Sequence, residues 1–177
     1  MSRLVVHFSI SHELDAPIDA LELALLSPDL GPLLGDAMES LASVETRTHE
    51  VDGDRFQRVW RFQARAPLRA LRGFTVTKEM MVWDERWTYR RSHHAATWSI
   101  WPRPEVDAEA TWRRHFHAEG KYYLDPLADG RTRRTVSGDL KVVLKVVGPL
   151  VERMALKELK RAYAEEAKLL LELCAHH

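Results

Sequence analysis

The sequence has a single cysteine, Cys174, so no intramolecular disulfide can form and no thiolate metal cluster can assemble. That suits a reducing cytoplasm. Net charge is absent too: 26 basic side chains balance 26 acidic ones, and no overall field draws the chain onto nucleic acid or an anionic membrane. No apolar run approaches the ~20 residues that span a bilayer, so no transmembrane segment is expected. The N-terminus passes almost directly into the alternating segment LVVHFSISHEL, unlike a secretory signal with a charged start and an unbroken apolar run. There is no P-loop, no dinucleotide fingerprint after a strand, no HExxH and no serine in a nucleophile-elbow setting. No internal repeat appears, which excludes a solenoid.

What is present fits one domain over residues 1–177, with 45% hydrophobic and 29% charged residues. Leu4, Val6, Phe8 and Ile10 alternate as in a strand with one buried face. Asp15-Ala16-Pro17 then opens a short helix through Ile18, Leu21 and Leu25, and residues 32–41 predict a second. Asp52-Gly53 favours a two-residue hairpin turn, with Phe56, Trp60 and Phe62 on its second arm. Phe74, Val76, Met80 and Val82 predict a strand that turns at Asp84-Glu85 and returns through Trp87 and Tyr89. Further strands are expected over residues 95–101, 112–124 and 131–143.

Gly148-Pro149 precedes about two dozen residues without further glycine or proline, rich in Leu, Ala, Glu and Lys, which predict a long C-terminal helix. At 100° per residue, Val151, Met154, Ala155, Ala162, Leu169 and Leu173 share one face, and Glu158 falls within that arc. A carboxylate in such an arc would be desolvated, with a raised pKa suited to proton transfer or to a ligand hydrogen bond. The plainer reading is a slightly rotated helix or a paired surface charge.

The passages FSISHELDAPIDALELALLSPD and DGRTRRTVSGDLKVVLKVVGPLVERMALKELKRAYAEEAKLLLEL resemble the opening and the close of the START-like superfamily, which includes pollen-allergen-like and polyketide-cyclase-like proteins. The second passage is similar to an uncharacterised bacterial branch of it. The resemblance spans nearly the whole chain and implies an α+β helix-grip fold, in which a long C-terminal helix lies across a curved antiparallel sheet. It also implies an internal pocket for a hydrophobic small molecule such as a lipid, sterol or polyketide. Two other uses of the same fold stay open: a cyclase, aromatase or hydrolase working in the same cavity, and a regulatory or chaperone-binding module.

Within such a pocket, Trp60, Phe62, Trp98, Trp112 and Phe116 are candidates for apolar burial, with Met154 on the helix and Glu158 orienting a polar end. Ordinary core packing explains the same aromatics. A two-residue turn at Asp52-Gly53 sets Arg47 opposite Arg58, where the pair could hold a carboxylate or phosphate. A shift in register removes that pairing, and solvated surface charge is the simpler account. His115 and His117 share a strand face and His93-His94 could approach, but no third ligand at a telling spacing accompanies them. No metal and no cofactor are expected.

Overall fold

The computed structural model describes residues 5–65, 81–102, 116–142 and 148–176, without the side chains of residues 102, 116, 142 and 148–151. Strand β1 (Val6–Leu14) is followed by helices α1 (Ile18–Leu25) and α2 (Leu30–Ala37). Strands β2 (Leu41–Asp52), β3 (Arg55–Ala64), β4 (Val82–Arg90), β5 (Ala95–Pro102), β6 (Phe116–Pro126) and β7 (Thr132–Val142) follow, then helix α3 (Gly148–Ala175). The strands form one sheet in the order β1-β7-β6-β5-β4-β3-β2, with every neighbouring pair antiparallel. Thus β2 to β7 form a meander and β1 joins its far end beside β7.

Successive strand residues face opposite sides and directly paired residues share one, so the register defines the inner face. Phe56, Arg58, Trp60 and Phe62 of β3 stand opposite Tyr89, Trp87, Glu85 and Trp83 of β4. Trp98, Tyr122, Arg134 and Val136 continue that face across β5 to β7, and Phe8 and Ile10 of β1 complete it. Helix α3 covers this surface and packs on α1, α2, β1 and β7. Two glycines allow one close approach. A Cβ on Gly120 would stand 2.0 Å from the Ser137 carbonyl oxygen, and a Cβ on either Gly120 or Gly138 would come within 2.6 Å of the Trp98 ring. Only glycine at both positions lets that indole lie flat on β6 and β7.

Three sequence expectations are corrected. Asp84-Glu85 is no turn: β4 runs straight through it, because both carboxylates face arginines of β3, Arg61 on one face and Arg58 on the other. The hairpin comes later, at Arg91–His93. In the first hairpin Asp52 pairs with Arg55, so His49, not Arg47, lies opposite Arg58, and a bulge between Thr46 and Thr48 removes Arg47 from the ladder. Helix α3 is turned by about a quarter turn from the projected arc. Tyr163, Glu166 and Leu170 lead its buried face, while Met154 and Leu173 are half-buried. The projection counted apolar residues only, whereas the buried partner of Glu166 on the sheet is what draws that face inward. Most of the expected strand from Phe74, together with Trp112 and His115, lies outside the described residues.

Candidate functional site: a polar cluster under the C-terminal helix

On β3 the alternation that buries Phe56, Trp60 and Phe62 also carries Arg58 inward, where its side chain is 4% exposed. Its guanidinium carbon lies 3.6 Å from the Trp60 ring centroid and 4.3 Å from that of Trp87, so two indole faces hold the cation. Its closest carboxylate is Glu85, with Nη2 to Oε1 at 3.8 Å, too long for a hydrogen bond. The Arg58 Nε and Nη1 groups are buried and have no hydrogen-bond partner among the described residues.

A second arginine enters from β7. Arg134 shares the parity of Thr132, Val136 and Leu140, all buried, and is itself fully buried. It donates from Nη1 to Glu166 Oε2 at 3.1 Å and from Nη2 to the Tyr163 carbonyl at 2.6 Å and to His12 Nδ1 at 3.0 Å. Burial and the adjacent Arg134 both lower the His12 pKa, consistent with a neutral imidazole accepting that bond. The arginine thus fastens α3 to the sheet. The Tyr122 hydroxyl faces the same guanidinium, while Glu166 Oε1 is buried without a hydrogen-bond partner among the described residues.

These side chains form one electrostatic unit. Burial pushes the Glu85 carboxyl up to about 7, against the pull of Arg58 and with a further push from Glu166. Burial and the nearby carboxylates also raise the Tyr122 and Tyr163 phenols, so both keep their protons and can donate. The Tyr122 ring meets Trp87 edge-on at 5.6 Å and links the Arg58 half to the Arg134 half. Native interiors rarely leave buried polar atoms without partners. Those on Arg58 and Glu166 mark a place built to meet something else.

The aromatic candidates divide. Trp60 and Phe62 are buried beside one another, with ring centroids 6.2 Å apart, and Trp60 touches Arg58 directly. Trp98 is buried elsewhere, against Phe8 and the two glycines, with its indole nitrogen donating to the Lys121 carbonyl. The Phe116 backbone lies in β6. Met154 is half-buried on α3. Glu158 is not in the cluster: its side chain is 44% exposed, accepts from Ser40 Oγ at 2.9 Å and lies 3.6 Å from Arg161. Arg47 is exposed on its bulge, 3.8 Å from Glu45. His117 is exposed beside Glu119, and no group of residues suited to a metal occurs among the described residues. The sequence reading passed over Glu85, Tyr122, Arg134, Tyr163 and Glu166, although strand parity alone put Arg134 and Tyr122 on the apolar face.

The sheet's other face is different in character. A groove of about 800 Å³ runs over Thr88, Thr97, Ser99, Lys121 and Ser137, open to solvent and lined mainly by polar side chains. It is no apolar chamber. None of the unpartnered atoms lies there.

A curved antiparallel sheet gripping one long C-terminal helix is the helix-grip fold, shared with the solved structures that the chain resembles. The chain belongs to the family described as a protein of unknown function, DUF2505, which matches residues 9–173. Among solved structures it is similar to the ZhuI aromatase/cyclase from Streptomyces sp. R1128, at 15% identity and a TM-score of 0.61 over 97% of this chain and 94% of that one. Norcoclaurine synthase from Thalictrum flavum in complex with dopamine and hydroxybenzaldehyde is similar at 14% identity and a TM-score of 0.62, over 97% and 89%. TTHA0849 from Thermus thermophilus is 18% identical, with a TM-score of 0.59 over 97% and 98%. At such identities the likeness is one of fold. No curated protein is significantly similar in sequence.

Proposed function

We propose that this chain binds a small hydrophobic molecule between the inner sheet face and α3, with the molecule's polar end at the Arg58–Arg134 cluster. The observation that carries the reading is the two buried N–H groups of Arg58, at Nε and Nη1, that no described residue accepts. In a purely structural core these atoms would cost stability without return. Trp60, Phe62 and Trp87 supply apolar surface around them. Similarity in fold to an aromatase/cyclase and to a synthase holding dopamine and hydroxybenzaldehyde supports an interior that receives small molecules. Native mass spectrometry after mild purification tests it, with a retained molecule of a few hundred daltons, released on unfolding, as the expected result. A bare chain that also fails to take up any apolar probe would refute it.

A second reading, a cyclase, aromatase or hydrolase in the same interior, is favoured by Glu85 alone, whose pKa near 7 suits a general acid or base at neutral pH. Under it, the wild-type chain converts the retained molecule and the Glu85→Gln chain returns it unchanged. Unchanged recovery from both chains leaves binding without chemistry.

A further inference from the structure

Resting on that binding reading, we infer that the ligand is an acid, a mainly apolar molecule bearing one carboxylate that docks on Arg58. Of the two buried guanidiniums, Arg134 has a charged partner within hydrogen-bond distance, Glu166 at 3.1 Å. Arg58 has none: Glu85 stands at 3.8 Å, and two of the Arg58 nitrogens are buried without an acceptor among the described residues. Burial also favours the protonated form of Glu85 up to about pH 7, which leaves the neighbouring cation short of a counter-ion. The indoles of Trp60 and Trp87 offer π faces, which compensate part of the charge and fix the plane of the guanidinium, but they accept no in-plane hydrogen bond. A neutral carbonyl or hydroxyl would answer the free N–H groups and leave the charge. A carboxylate answers both, and its planar acceptors match a guanidinium. Among the described residues of the cluster only the Arg58 charge is unanswered, and Glu166 opposes a second negative charge, which favours a monoanion over a phosphate dianion.

A pH dependence follows from the groups that face Glu85: Arg58 on β3, and Tyr163 and Glu166 on α3. His49, opposite Arg58 on β2, and His12 on β1 both have lowered pKa values and carry no charge at neutral pH. As pH rises through about 7, Glu85 ionises and competes for Arg58, so the bound acid holds less tightly.

Calorimetric titration with two matched probe pairs, dodecanoic acid against dodecanol and 2-naphthoic acid against 2-naphthalenemethanol, tests the inference. At pH 6 each acid is expected to bind at least about tenfold tighter than its alcohol, the scale of one charge-assisted hydrogen bond. That preference disappears in Arg58→Met. In the wild type it shrinks at pH 8.5, whereas in Glu85→Gln it does not. Alcohols that bind as tightly as acids overturn the inference and leave hydrophobic binding standing, while no binding by any probe overturns both. If Arg58→Met does not fold by circular dichroism, the Glu85→Gln arm decides, and an acid preference equally insensitive to pH in both chains overturns the docking on Arg58.

Discussion

The molecule buries charge in two places, and they are built differently. Under α1, Glu22 is buried with every neighbour turned toward it: Tyr89 Oη donates at 3.0 Å, Arg91 Nε donates at 3.1 Å and His94 Nδ1 lies at 3.2 Å. Under α3, Arg58, Glu85, Tyr122, Arg134 and Glu166 gather as much charge and leave Arg58 Nε, Arg58 Nη1 and Glu166 Oε1 buried without a partner among the described residues. The first arrangement ties a helix to the turn between β4 and β5 and needs nothing further. The second is unfinished. Burial of charge therefore does not by itself mark a site here, and missing partners do.

The sharpest way to break this contrast is through Glu85, because an unfinished site should show its cost with pH. Its ordinary value is 4.5 and its folded value about 7, so folding favours the protonated form. The associated stability is fully present below pH 4.5 and is lost as pH rises through 7, a change on the order of 3 kcal/mol by pH 8. Glu85→Gln keeps a neutral group at every pH. In urea unfolding between pH 4.5 and 8, the variant is expected to match the wild type at the acid end and to exceed it by about that amount at the alkaline end. Curves that stay parallel would place Glu85 with Glu22, as a carboxylate whose charge the fold already satisfies.

The next largest effect belongs to the finished node. Glu22→Ala strands the buried Tyr89 hydroxyl and removes the anchor of Arg91 and His94, and should cost about 2 kcal/mol in the same assay. Arg58→Met, of similar volume, should change stability by less than about 1 kcal/mol, since it trades two cation–π contacts for the release of unpaired N–H groups. A loss for Arg58→Met as large as that for Glu22→Ala would mean that the two nodes do the same structural work.

How far these nodes could be read from the sequence depended on the kind of pattern involved. The long helix, the two short helices and most strands follow from periodicity, because burial on one face imposes a repeat on the apolar residues themselves. Arg58 was legible only as half of a pairing with Arg47 that the register does not make, although it lies at even spacing among Phe56, Trp60 and Phe62. Glu85 was not: an Asp-Glu pair reads as a turn, and only the β3 partner strand reveals that Arg61 and Arg58 hold the two carboxylates on opposite faces. Arg134 sits in a basic run, Arg131 to Arg134, although its parity with Val136 and Leu140 points inward. Arg47 depended on a turn at Asp52-Gly53, whereas Asp52 pairs with Arg55 and sets His49 opposite Arg58. Pairings between distant residues leave no local repeat, and these polar clusters consist of such pairings.

Glu158 supplies the smallest prediction and the finest test of where the cluster ends. The projected helix set it on the apolar arc, but the arc followed apolar residues alone, and the Arg134–Glu166 pair turns a different face of α3 to the sheet. Rotation carries Glu158 out to the seam with α2 and β2, where Ser40 Oγ donates to it and Arg161 lies one turn on. A half-exposed carboxylate held this way contributes little, because water and salt screen the pair. Glu158→Ala should therefore shift unfolding by no more than about 0.5 kcal/mol and leave the acid-over-alcohol preference of the wild type unchanged. If that preference fell in Glu158→Ala, the polar end of the ligand would reach beyond the Arg58–Arg134 cluster toward the α2 seam.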